Sequence, residues 1–165
     1  MKTGKKRIAT VIGGSVFIGS HVADQLSEEG YHVRIFDQKA SRWKKENQEM
    51  IVGDMLDNDL LNKVMVGSEV VYNFAALADL DQARHQPVET VELNILGNIK
   101  ALEACRVNDV KRFIFASTVY VYSREGSFYR CSKQAAESYV EEFQSVYNLD
   151  YTILRYGSLY GPRAD

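Results

Sequence analysis

Short β-branched runs alternate along this chain with segments whose apolar residues recur at helical spacing, and few folds accommodate that alternation. Arg7 to Ile12 is the first such run, and Phe17 to Glu29 carries Ile18, Val22 and Leu26 at helical spacing before Gly30 stops it. His32 to Phe36 reads as a second strand and Met50 to Val52 as a third ending at Gly53-Asp54, with a helical stretch from about Asp57 to Val66 closed by Gly67. Val70 to Ala76 is a nearly continuous apolar run, as in strands covered on both faces. Pro87 then opens a long helix reaching Val107, with Val91, Ile95, Ile99 and Leu102 as its stripe. A fifth strand is expected at Arg112 to Ala116, a helix at Tyr129 to Tyr147 and a sixth strand at Tyr151 to Leu154. In that last helix Ala136, Val140, Phe143 and Tyr147 form the apolar side, with Glu137, Glu141 and Glu142 turned away. Repeated βαβ units imply an α/β protein with a doubly wound parallel sheet, and 165 residues suit one domain.

Composition narrows the partners. Lysine plus arginine is 20 against 22 acidic residues, a net charge of −2, so no global field draws in nucleic acid or an anionic membrane. The two cysteines, Cys105 and Cys131, have neither disulfide-framework nor zinc spacing, and His21, His32 and His85 are scattered, so no metal site is expected. That cysteine usage suits a reducing, cytoplasmic setting. Lys5-Lys6-Arg7 before Ile8 to Ile18 superficially resembles a secretory signal, but Gly13-Gly14 breaks the apolar stretch and no small-residue cleavage pattern follows. No apolar run approaches the roughly 18 residues that span a bilayer.

The segment Gly13-Gly14-Ser15-Val16-Phe17-Ile18-Gly19 joins the first strand to the first helix. In such a turn glycine lets the backbone approach a pyrophosphate, and the N–H groups at the helix start attract its charge. The alternative is an ordinary βα turn with glycines for tight packing. Asp37 ends the second strand, where a carboxylate accepts hydrogen bonds from adenosine ribose hydroxyls and repels a 2′-phosphate, favouring NAD over NADP; Lys39 and Arg42 act in the opposite sense. Its bland reading is a solvated strand-end carboxylate. Asp54 ends the third strand, either beside an adenine or as a turn or helix cap.

Tyr129-Arg130-Cys131-Ser132-Lys133 puts a phenol and an ammonium at i and i+4 on one helix face. A phenol with a pKa of about 10 is too weakly acidic to serve as a base at neutral pH, but a cation nearby favours the phenolate. Together with the glycine turn, Asp37, Gly53-Asp54, Asn73-Phe74-Ala75-Ala76, Asn94-Ile95-Leu96-Gly97, Ala116-Ser117-Thr118 to Val121-Tyr122 and Arg155 to Gly161-Pro162-Arg163, the chain resembles the extended short-chain dehydrogenase/reductase family, the NAD-dependent epimerase/dehydratase group acting on nucleotide sugars. The resemblance implies a Rossmann-type dinucleotide-binding domain over residues 1–165, with the family's C-terminal substrate lobe largely absent. It implies that Gly13, Ser15, Val16, Phe17, Ile18, Gly19, Asp37, Asp54, Met55, Phe74, Ala75, Ala76, Asn94 and Lys133 hold NAD. It further implies that Thr118 holds the substrate oxygen, Tyr129 takes the proton, and Lys133 acidifies the phenol and holds the nicotinamide ribose. A homodimer through the helices at 88–107 and 129–147 is implied as well.

Four departures from the family pattern carry expectations. Val16 replaces the middle glycine of the turn; a β-branched side chain there is expected to crowd a pyrophosphate and to resist positive φ. Val119-Tyr120 replaces the Asp-Glu pair of the dehydratases, which disfavours removal of water. The segment Ser123 to Phe128 is short, so the substrate mouth must be built differently, and Ser158 stands where the family often has asparagine. The leading expectation is an NAD-dependent nucleotide-sugar epimerase or its cofactor-binding lobe. A reductase of the same family and a non-catalytic dinucleotide-binding module remain as alternatives.

Overall fold

The computed structural model describes residues 7–164, so Lys5 and Lys6 of the basic stretch lie outside the described residues. Six parallel strands, β1 (Ile8–Ile12), β2 (His32–Asp37), β3 (Gln48–Val52), β4 (Ser68–Asn73), β5 (Arg112–Thr118) and β6 (Asp150–Tyr156), form one sheet in the order β3-β2-β1-β4-β5-β6. The helices are α1 (Phe17–Glu28), α2 (Asn58–Met65), α3 (Leu80–His85), α4 (Pro87–Val91), α5 (Asn98–Val107) and α6 (Ser127–Tyr147). Winding outward from β1 in both directions makes the order reverse between β1 and β4. Right-handed crossovers then send α1 to one face and α5 and α6 to the other. Two cores result. Leu61, Val64, Leu102, Phe113, Phe115, Ala136 and Val140 fill the larger one, while Val11, Ala23, Leu26, Val33 and Ile35 pack beneath α1.

The chain departs from the expected pattern where side chains, rather than periodicity, set the backbone. The long helix after Pro87 is interrupted by a π-helical segment, Glu92–Gly97. There Asn94 is buried, its carbonyl accepting from Leu77 N–H at 2.7 Å and its amide donating to Leu77 O at 3.1 Å and Ser132 Oγ at 3.0 Å. The wider turn thereby ties the loop after β4 to α6. Helix α3 lies in what reads as loop; Asp79 starts it by accepting from Gln82 N–H at 2.7 Å. Glu137 is a correction: it faces inward rather than outward and is 8% exposed.

After β6 the chain folds back along α1. Arg163 donates to Asp24 Oδ2 at 2.9 Å and Ser20 Oγ at 3.1 Å, its guanidinium 4.9 Å from the centre of the Trp43 ring. His21 Nε2 meets Pro162 O at 2.8 Å. This return strand of coil carries Gly157 and Leu159 to the mouth of the crevice between β1 and β4.

At the order reversal the two backbones almost touch. Gly13 has φ +74°, and a Cβ there would lie 2.6 Å from Ala75 N; on Gly19 it would lie 2.2 Å from Gly13 O. Gly30 has a similar φ of +83° but open space around it. Gly30→Ala should therefore lose only the left-handed penalty, about 1 kcal/mol, whereas Gly13→Ala should lose about 3 kcal/mol or more in urea unfolding. Equal losses would show that the Ala75 backbone gives way without penalty.

Candidate active site

The crevice at the order reversal has two chambers. The larger, about 510 Å³, is lined by Phe17, Ile18 and Gly19 at the start of α1 and by Thr118, Tyr129 and Lys133 across from them. The smaller, about 160 Å³, holds Asp37, Met55 and Ala75. Gly13, Val16, Phe74 and Ala76 line both, so the chambers are continuous. A carboxylate thus stands toward one end, a phenol and an amine toward the other, and the N-terminus of a 12-residue helix lies between them. No side chain caps that helix end, which leaves its first N–H groups for a ligand.

Each expected site residue has a definite place. Asp37 accepts from Ser15 N–H at 3.0 Å and Lys39 N–H at 3.3 Å, so its carboxylate ties the glycine turn to the end of β2. Ser15 is buried and donates through Oγ to Lys39 O at 2.7 Å, supporting the turn from behind. Asp54 accepts from Leu56 N–H at 2.9 Å, the turn role. Asn94 anchors the loop at Leu77, as above. Ser15, Asp54 and Asn94 are not among the residues lining either chamber. The other expected residues all line one chamber or both.

Val16 behaves differently from expectation. Its φ of −116° and ψ of −165° are extended, so the backbone demands no glycine there and the expected conflict with positive φ does not arise. The isopropyl group is 60% exposed at the junction of the two chambers, so what remains is its bulk.

The phenol and amine are set by burial. Thr118 is buried, and its Oγ1 accepts from Tyr120 N–H at 3.3 Å. Lys133, 2% exposed, donates from Nζ to Ala116 O at 2.7 Å and lies 5.7 Å from the centre of the Tyr129 ring. Burial lowers its pKa from the ordinary 10.5 to about 7, opposed by the charge of Glu137. Burial also raises the Tyr129 phenol, and Tyr120 adds to the rise. In the free chain the phenol is thus less acidic than an ordinary tyrosine, opposite to the expected acidification, because burial disfavours the phenolate.

Behind this pair lie two residues that sequence reading missed. Glu137 accepts from Ser117 Oγ at 2.5 Å and from Arg155 at 3.0 Å (Nε) and 2.8 Å (Nη2). Arg155 also donates to the Tyr122 hydroxyl. Although burial opposes it, hydrogen bonds from Arg155 and Ser117 hold the Glu137 carboxyl below its ordinary value. The signal available in the sequence was spacing, since Glu137 is one helical turn beyond Lys133. Ala78, Leu80, Tyr156 and Leu159 also line the larger chamber and were not singled out, and Tyr120, from the Val119-Tyr120 pair, lines it with them. Among the described residues no cluster of three or more potential metal ligands occurs, and no helix is long and apolar enough to cross a membrane.

Comparison with known proteins places the fold among nucleotide-sugar enzymes. The chain is 29% identical over 182 residues to the UDP-N-acetyl-alpha-D-glucosaminuronate decarboxylase of Bacillus cytotoxicus, covering 96% of this chain and 56% of that protein. The crystal structure of the Thermotoga maritima UDP-glucose 4-epimerase with UDP-glucose superposes with a TM-score of 0.90 at 31% identity, over 96% of this chain and 58% of that one. The Thermus thermophilus UDP-glucose 4-epimerase in complex with NAD gives 0.88 at 32% identity, over 96% and 57%. The chain therefore spans somewhat more than half the length of these relatives, and they differ among themselves in the reaction they catalyse. The family model for the NAD dependent epimerase/dehydratase family matches residues 9–165, and it is to this family that the chain belongs.

Proposed function

We propose that this chain is the cofactor-binding part of an NAD-dependent epimerase of nucleotide sugars. The observation that carries the reading is the single crevice joining Asp37, the uncapped start of α1 and the Thr118, Tyr129, Lys133 set. The sequence of groups suits a dinucleotide laid along the crevice, with a ribose at Asp37 and a diphosphate at the N–H groups of Phe17 to Gly19. Bound NAD would supply the acceptor, and afterwards the donor, of a hydride. Tyr129 Oη, as the phenolate, takes the proton from the sugar hydroxyl, and Thr118 Oγ1 orients that oxygen. Lys133 Nζ, charged below its midpoint, draws the phenol toward phenolate. Epimerisation returns the hydride to the opposite face of the same carbon, so it needs no acid-base pair beyond Tyr129, consistent with Val119 and Tyr120 standing where a dehydratase carries acids. UDP-hexoses are the substrates to try first, since the Thermotoga maritima relative was crystallised with UDP-glucose. We further propose a homodimer through the helices at 88–107 and 129–147, where Val88, Val91, Leu96, Tyr139 and Val146 are exposed.

Binding and turnover separate the parts of this proposal. Calorimetric titration should show NAD binding, and Val16→Gly should tighten it by about tenfold, ~1.4 kcal/mol, by clearing the junction of the chambers. Failure of both proteins to bind would defeat the assignment. Tyr129→Phe should leave NAD affinity within about twofold while lowering UDP-glucose to UDP-galactose interconversion by roughly 100-fold or more. NAD binding with no interconversion in the parent chain would leave a dinucleotide-binding module.

The buried amine also sets a pH dependence. Because its folded pKa lies below its unfolded one, the unfolded chain binds more protons between about pH 7 and 10.5, so stability rises with pH across that window. Below about 7 the penalty is complete, and above 10.5 it is gone. Lys133→Met should therefore stabilise the protein most at pH 6.5 and least near pH 10 in urea unfolding. A gain independent of pH would contradict the assignment of a desolvated amine.

A further inference from the structure

Helix α6 is fastened to the end of β5 at two adjacent residues. Lys133 Nζ donates to Ala116 O at 2.7 Å, and one helical turn on, Glu137 accepts from Ser117 Oγ at 2.5 Å. The next strand residue is Thr118, so the two bonds fix the helix bearing Tyr129 and Lys133 against the strand bearing the third member of the set. On its other side Glu137 is forked by Arg155 from β6. The buried carboxylate is thus held from two strands, one helical turn along α6 from Lys133.

We propose that Glu137 is a positioning residue: from one helical turn away it favours the charged form of Lys133, whose amine is held at Ala116 O beside the Tyr129 ring, and Arg155, by sharing the same carboxylate, moderates how strongly it does so. The geometry supplies both halves. Glu137 is the anion one turn from Lys133 on the same helix, and the Arg155 guanidinium neutralises it from the solvent side, reaching on to the hydroxyl of the exposed Tyr122. The ionisable groups around the amine are few. Helix α6 brings Tyr129 and Glu137, β6 brings Arg155 and Tyr156, and the 3₁₀ turn Val119–Tyr122 brings Tyr120 and Tyr122. The end of β5 brings only neutral side chains, Ala116, Ser117 and Thr118. On the other elements packed against α6, Asp81, Arg84, His85, Glu89, Glu92, Glu103 and Arg106 are exposed, and Lys100 donates to Leu56 O at 2.6 Å. Removing the charge of Glu137 should therefore weaken the protonated amine, and removing that of Arg155 should strengthen it.

The proposal rests on the reading of Lys133 as part of the Thr118, Tyr129, Lys133 set, but its test needs neither cofactor nor substrate. The protein labelled with 13C at the lysine ε-carbon is titrated by NMR, with the Lys133 signal identified by its loss in Lys133→Met. Glu137→Gln retains a carbonyl to accept from Arg155 and Ser117, and should lower the Lys133 midpoint by about one pH unit, a tenfold weaker proton affinity. Arg155→Gln should move the same midpoint upward. A purely structural role would lower the melting temperature of both variants and leave the midpoint unmoved; unmoved midpoints in folded variants, or shifts of the same sign, overturn the proposal. Should Glu137→Gln not fold, Arg155→Gln at the exposed end decides alone: an upward shift supports the proposal and its absence overturns it. Calorimetric NAD titration of the same unsubstituted sample reports separately on the cofactor reading, so failure of one is distinguishable from failure of the other.

Discussion

The close approach of two backbones at the middle of the sheet is the constraint from which the rest of the structure follows. Gly13, leaving β1, lies so near Ala75, leaving β4, that a side-chain carbon between them would overlap main-chain atoms. Because the strand order reverses there, the helices after the two strands diverge to opposite faces, and a crevice opens above their ends. Gly19 sits still closer over Gly13 O, which brings the first turn of α1 down onto the strand end. The helix N-terminus consequently faces the crevice, with Asp37 fastening the turn from β2. A bulkier turn would hold the helix away and leave a shallow surface where an open crevice now runs.

A second layer of organisation concerns charge. Lysine and glutamate are seldom buried, because desolvation opposes either charge alone. Here Lys133 and Glu137 lie one turn apart on α6, both nearly inaccessible, and Arg155 closes the group from the edge strand. The arrangement leaves the amine near its midpoint at neutral pH instead of permanently charged. Such a group responds to what enters the crevice: an added negative charge nearby favours its protonated form, and an added positive charge disfavours it. The phenol beside it, raised by burial, is poised to respond in the complementary direction.

Much of this was legible in the sequence, and the reasons differ by element. The six strands and the principal helices follow from period-two and period-3.6 patterns, although Val91 and Tyr147, expected on apolar faces, end up exposed because each lies toward a helix end beyond the packed core. The glycine turn and the Tyr129, Lys133 pair were legible because their chemistry requires fixed residue types at fixed spacing. The π segment was not, since it is set by the Asn94 side chain bonding Leu77 across the loop, a long-range choice that leaves no mark on periodicity. Glu137 was misplaced for a related reason: polarity marks a residue as outward-facing unless its partner is known, and Arg155 is 18 residues away. Val16 shows the reverse case. The family's middle glycine suggests a left-handed backbone, but the extended φ found here removes the conformational half of the expected conflict and leaves only the isopropyl group to consider.

The central claim is that a dinucleotide diphosphate rests on the N–H groups at the start of α1. Amide NMR of the 15N-labelled chain during addition of NAD measures this directly. The largest shifts are expected at Val16 to Gly19, with smaller ones at Asp37 and around Tyr129, and none at the opposite ends of the strands near Arg7 and Lys111. Saturable shifts confined to other surfaces, with Val16 to Gly19 unmoved, would contradict it.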